Sequence, residues 1–95
     1  MSWRPWQLNR ITFSEDAWDE YLYWQAQDKK TLKKINELLK EIQRTPFEGR
    51  GEPERLRGDL SGKWSRRINH KDRLVYEVTD DMVIVVQCKG HYDDK

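Results

Sequence analysis

Glu54, Arg67, Arg73 and His91 are the residues whose types could act together chemically. A carboxylate can take a proton, an imidazole can give one, and two guanidinium groups can hold a phosphate through paired hydrogen bonds. That combination suits cleavage of an RNA phosphodiester. A base removes the proton of a 2′-hydroxyl, cations hold the charge growing on the phosphorus oxygens, and an acid protonates the departing 5′-oxygen. Tyr92, next to His91, could stack on a base. Taken alone the set is not diagnostic, because many small domains contain an Arg, a His and a Glu. Glu54 also stands next to Arg55 and close to Arg57, and spacing by itself favours a surface salt bridge there.

The elements that must position these residues are legible in the hydrophobic pattern. From Gly62 to Tyr92 three alternating runs are joined by polar turns at Asn69-His70-Lys71 and Asp80-Asp81. The even positions (Trp64, Arg66, Ile68; Leu74, Tyr76, Val78; Met82, Ile84, Val86, Cys88) are expected to face a core. The odd ones, Ser65, Arg67, Arg73, Gln87, Lys89 and His91, are expected to share the opposite face.

Upstream, Ile11–Phe13 reads as part of a first strand beginning near Leu8. Ser14 then caps a helix from Glu15 to about Ala26, with Trp18, Tyr21, Leu22 and Gln25 as its packing stripe and Ala17 and Trp24 beside it. Asp28 caps a second helix, whose apolar face is Leu32, Ile35, Leu38, Leu39 and Ile42. Its lysines lie on the solvated face, and Pro46 ends it at about Arg44. A loop from Phe47 to Gly62, rich in glycine, leads into the strands. The expected order is β-α-α-β-β-β: an α+β domain with an antiparallel sheet and a two-helix hairpin on one face, leaving the other face for a ligand.

Ninety-five residues suffice for one small domain, and five Trp help it bury enough apolar area. Charge is nearly balanced overall, but Arg55 to Arg73 holds seven Lys or Arg against two acids, a locally basic surface suited to a polyanion. Cys88 is the single cysteine, so no internal disulfide forms, and its position suggests a packing role. No HxxH, CxxC or DxD cluster has metal-ligand spacing, no motif calls for a cofactor, and no apolar run is long enough for a membrane. The expectation is a cytoplasmic protein without metal or membrane attachment.

The runs EDAWDEYLYWQ, KKINELLKEIQRTPFEGRGEPE, LSGKWSRRIN, DRLVYEVTDD and the terminal HY closely resemble the YoeB-type toxins of the RelE/ParE toxin–antitoxin superfamily, from Ile11 to Tyr92. The resemblance implies a microbial-RNase-like fold and a metal-independent mRNA endoribonuclease that acts in the A site of the 70S ribosome and so inhibits translation. It implies a YefM/Phd-like antitoxin, a possible homodimer, and operator DNA contact only through the antitoxin complex. Carried over by position, the general base falls on Glu54, the general acid on His91, and a substrate-orienting tyrosine on Tyr92. The transition-state arginine falls on Arg73 and a further phosphate-contacting arginine on Arg67. Arg57 stands where relatives often have lysine, and Lys89 joins the phosphate-binding set. The chain reads as one toxin domain over 1–95, departing from the pattern in an N-terminal extension (1–10) and a short acidic tail (93–95). A non-catalytic ParE-like toxin or antitoxin-binding module is the alternative; the ParE branch lacks this Glu/Arg/His-Tyr set.

Overall fold

Ser14 and Asp28 set up the helical half of the molecule. The Ser14 hydroxyl accepts from the Ala17 N–H at 3.2 Å and starts α1, Glu15–Gln27. Asp28 ends α1, donating its own N–H to Trp24 O at 2.8 Å, and starts α2, Lys29–Arg44, accepting from Thr31 N at 3.1 Å. The Thr31 amide, backed by the Thr31 hydroxyl, holds the Asp28 carboxyl below its ordinary range. One residue therefore satisfies orphan groups of two helices, which forces a tight hairpin.

The computed structural model describes residues 9–91. The N-terminal residues 1–8, Tyr92 and the tail at 93–95 lie outside the described residues, as does the expected strand start at Leu8. Five strands form one sheet: β1 (Arg10–Phe13), β2 (Glu54–Arg55), β3 (Trp64–Arg67), β4 (Arg73–Val78) and β5 (Met82–Gln87), in the order β1-β5-β4-β3-β2. A 3-10 turn at Gly58–Leu60 separates β2 from β3. The α+β class and the two-helix hairpin agree with expectation, but the sheet is mixed, not wholly antiparallel. β1 runs parallel to β5, with Ile11 opposite Val83 and Phe13 opposite Val85. Parallel neighbours need a crossover, and here the chain passes through both helices and three strands before β5 returns beside β1. The expected loop at 47–62 also contributes the two-residue β2, which pairs with β3.

The core lies between the helix pair and one sheet face. Ala17 and Trp24 of α1 and Ile35, Leu38, Leu39 and Ile42 of α2 meet Ile68, Leu74, Tyr76, Val83, Val85 and Cys88. Two expectations need correction. In α1 the buried residues are Ala17 and Trp24, while Trp18 is 47% exposed and Leu22 is 39% exposed. The packing stripe is thus rotated from the one inferred. Trp18 instead stacks on Tyr21 at 5.8 Å and meets Phe13 edge-on.

In β5, odd-numbered Val83 and Val85 are buried, not Met82, Ile84 and Val86. The cause is a bulge: Val75 pairs with Gln87, but the next residue, Tyr76, pairs with Val85, so Val86 is the extra residue. Beyond it the phase flips, and Cys88 returns to the core while Gln87 stays on the open face.

Candidate active site

β3 carries adjacent arginines with opposite surroundings. Arg66 is buried among the core elements, and its guanidinium spends every N–H. Nε donates to Tyr76 Oη at 3.1 Å, Nη1 to a Glu41 carboxylate oxygen and to Arg50 O at 3.1 Å, and Nη2 to Thr45 O at 2.6 Å and Glu48 O at 2.8 Å. Tyr76 passes the network on, donating to Pro46 O at 2.7 Å. Arg66 thus ties the loop after α2 to the sheet. Gly51 continues that tie: its carbonyl accepts from Arg67 N at 2.6 Å, its φ is +86°, and a Cβ there would crowd Arg67 O at 3.1 Å. The loop is therefore pinned against β3 at the point from which the chain runs through Glu52 and Pro53 to Glu54.

On the face opposite the helices, the strand pairing assembles the other candidates. Glu54 is paired with Ser65, Ser65 with Val75, and Val75 with Gln87, so these four form one row across four strands. Arg67 and Arg73 are direct partners one step along β3 and β4. Since alternate residues share a face, Glu54, Arg67 and Arg73 all project from it. Ser65 and Val75 are buried in the middle of this face, whereas Glu54 and Arg67 are exposed and Arg73 half-buried. Arg67 approaches the exposed Glu52 at 3.8 Å, and Arg73 donates to Asn69 O at 2.7 Å and Asp72 O at 3.2 Å.

The chain comes to His91 by a different route. The ladder of β5 ends at Gln87, whose side-chain amide donates to Gly90 O at 3.1 Å and His91 O at 3.2 Å. Arg73 N also donates to Gly90 O, at 3.0 Å. On the helix side, Cys88 N donates to Glu20 Oε1 at 2.8 Å, and Cys88 O accepts from Trp24 Nε1 at 2.8 Å. Burial of Glu20 pushes its carboxyl up, with the Cys88 amide and Lys89 opposing. The Cys88 thiol is pushed up to about 12, by burial first and then by the nearby Glu20 and Asp72 charges. It is buried in the core.

Glu54, Arg67 and Arg73 are therefore brought to one side of the sheet, and the His91 backbone is tied to that side through the Gln87 side chain. Arg57 is exposed just before the 3-10 turn. Lys89 is not brought with the arginines: its ammonium lies over the Tyr23 ring of α1, 4.7 Å from the centroid. Two residues went unnoticed in the sequence as parts of this region. Asp72, buried at 3% exposure, and Asn69 interlock across the β3–β4 turn. The signal was the Asn69-x-x-Asp72 spacing, an Asx-turn pattern. Among the described residues, no group of three or more His, Cys, Asp and Glu could hold a metal ion, and no helix is long and apolar enough to cross a membrane.

Residues 13–92 match the model of the YoeB-like toxin of bacterial type II toxin–antitoxin systems. The chain belongs to that family. Toxin YoeB of Escherichia coli is 57% identical to it over 83 residues, spanning 87% of this chain and 99% of its relative. The fold is shared as well. A YoeB–YefM complex from Staphylococcus aureus contains a chain that superposes with a TM-score of 0.82 at 52% identity, over 88% of this chain and 98% of that one. The YoeB dimer from the same organism gives 0.83 at 53% identity, with the same coverage. This YoeB-family chain is thus the toxin of a type II toxin–antitoxin pair, and the Glu54–Arg67–Arg73–His91 face is its candidate active site.

Proposed function

We propose that this toxin is an mRNA endoribonuclease that works in the ribosomal A site and stops translation. The observation that carries the reading is the direct pairing of Arg67 with Arg73 on the sheet face that the helices leave open. Like charges directly opposite each other destabilise a sheet. A bound phosphate turns that cost into paired, charge-assisted hydrogen bonds.

In the proposed reaction Glu54 takes the proton of the 2′-hydroxyl, and the 2′-oxygen attacks the adjacent phosphorus. Arg67 and Arg73 hold the non-bridging oxygens as charge builds on them. The bond from phosphorus to the 5′-oxygen breaks, and protonated His91 delivers its proton to that oxygen. The products are a 2′,3′-cyclic phosphate and a free 5′-hydroxyl. No metal enters any step. Tyr92 would orient a base, and exposed Arg57 would extend the contact along the RNA backbone. The YoeB–YefM complex and the YoeB dimer among its relatives support a YefM-type antitoxin and a homodimer as partners here.

The test is message cleavage in a purified translation system, with and without ribosomes, for wild type, Glu54→Gln and His91→Gln. Cuts within A-site codons that need ribosomes, and that fall by about 10²-fold or more in each variant, are expected. Intact message alongside arrested growth would overturn the reading in favour of a protein target.

A further inference from the structure

β5 ends at Gln87, and contacts beyond the regular strand register set the course of the chain into His91. Three groups grip the preceding residue. Asp72 Oδ1 accepts from Gly90 N at 2.7 Å. Arg73 N and Gln87 Nε2 both donate to Gly90 O, at 3.0 and 3.1 Å. Gln87 Nε2 also reaches His91 O at 3.2 Å. The peptide plane on either side of Gly90 is thereby clamped between the β3–β4 turn and the end of β5.

Asp72 is itself immobilised. Its second carboxylate oxygen accepts from Asn69 Nδ2 at 3.1 Å, and its N–H donates to Asn69 Oδ1 at 2.8 Å. A carboxylate that is 3% exposed and spends one oxygen on a single backbone amide is a costly way to hold a chain end. It is justified where that end must not move. Gly90 adopts φ +84° with open space around its missing Cβ, so glycine serves backbone conformation there, not a close approach.

We propose that Asp72 and Gln87 are positioning residues that act through Gly90 to hold His91 over the Arg67–Arg73 pair. The inference rests on the assignment of His91 as the general acid. Neither side chain touches the reacting atoms. Both act on the angle at which the His91 backbone leaves Gly90.

The experiment is a double-mutant cycle in single-turnover cleavage on programmed ribosomes. It compares wild type, Asp72→Ala, Asp72→Asn, Gln87→Ala, His91→Ala, and the Asp72→Ala and Gln87→Ala changes each combined with His91→Ala. Asp72→Ala and Gln87→Ala should each slow cleavage about tenfold, the kinetic equivalent of one hydrogen bond. Ribosome affinity should change less than about twofold. Asp72→Asn, which keeps an acceptor for Gly90 N, should recover most of the rate. In the His91→Ala background neither change should slow cleavage further, since groups that act only through one residue are not additive with its loss.

Gln87→Ala removes no buried charge, so it keeps the test intact if Asp72→Ala folds poorly. An additive loss in the His91→Ala background, or wild-type rates for both Gln87→Ala and Asp72→Ala while His91→Ala is slow, would overturn the positioning role alone. A wild-type rate for His91→Ala would overturn the acid assignment and the inference with it.

Discussion

Arg66 and Arg67 are neighbours of identical chemistry, and the structure requires them to fail in opposite ways when replaced by methionine. Arg66 has a fully buried side chain with all five N–H donors used. In Arg66→Met, Glu41 keeps Arg50 and Tyr76 keeps Pro46, but the carbonyls of Thr45, Glu48 and Arg50 lose their guanidinium partner and the Glu41 charge loses its buried cation. Breaking one side of such a pair costs about 3–5 kcal/mol, a large share of the roughly 5–15 kcal/mol that holds a small domain together. For a domain of this size the melting temperature should fall by roughly 12–40 °C.

Arg67, with 49% of its side chain exposed and only a 3.8 Å approach to an exposed Glu52, should tolerate methionine within about 0.5 kcal/mol. Relief of its repulsion with Arg73 works in the same direction. Cleavage by Arg67→Met should nonetheless drop about 10²-fold, the usual cost of removing one donor from a charged transition state. Urea titration followed by tryptophan fluorescence, run beside the cleavage assay, reads both quantities. Arg66→Met within about 1 kcal/mol of wild type, or Arg67→Met destabilised by more than about 2 kcal/mol, would refute the assignment of faces.

Two further outcomes follow from titratable groups outside the candidate site. Cys88, with its thiol pushed up to about 12, should resist iodoacetamide near pH 8 in native buffer and react fully in urea; rapid native labelling would show that the C-terminal end of β5 opens readily. Glu41 is pushed up by burial, but the hydrogen bonds from Arg50 and Arg66 outweigh that and hold it below its ordinary 4.5. A depressed carboxyl contributes stability that is complete above its unfolded value and is lost as pH falls through its folded value. Wild type should therefore lose stability as pH drops below about 4.5. Glu41→Gln, weaker at neutral pH, should decline less steeply over that window, and parallel curves for the two proteins would count against the linkage.

What the sequence determined by itself was whatever depends on local periodicity and local chemistry. Ser14 and Asp28 announce helix starts because their side chains bond amides three residues on. The alternation of β3 and β4 already put Arg67 and Arg73 on one face and Arg66 on the other, since adjacent residues in a strand cannot point the same way.

Tertiary structure decided the rest. The bulge at Val86 moved Val83 and Val85 into the core, because a single extra residue flips every side chain on one side of it. The parallel pairing of β1 with β5 is a contact between chain ends, which no short-range pattern encodes. The α1 stripe turned toward Ala17 and Trp24 because the Trp24 indole found the Cys88 carbonyl, a partner 64 residues away. Lys89 settled over the Tyr23 ring of α1, and Asp72 became the anchor of Gly90. In each case the deciding partner is distant along the chain, and only the closed fold brings it within a hydrogen bond or a ring contact.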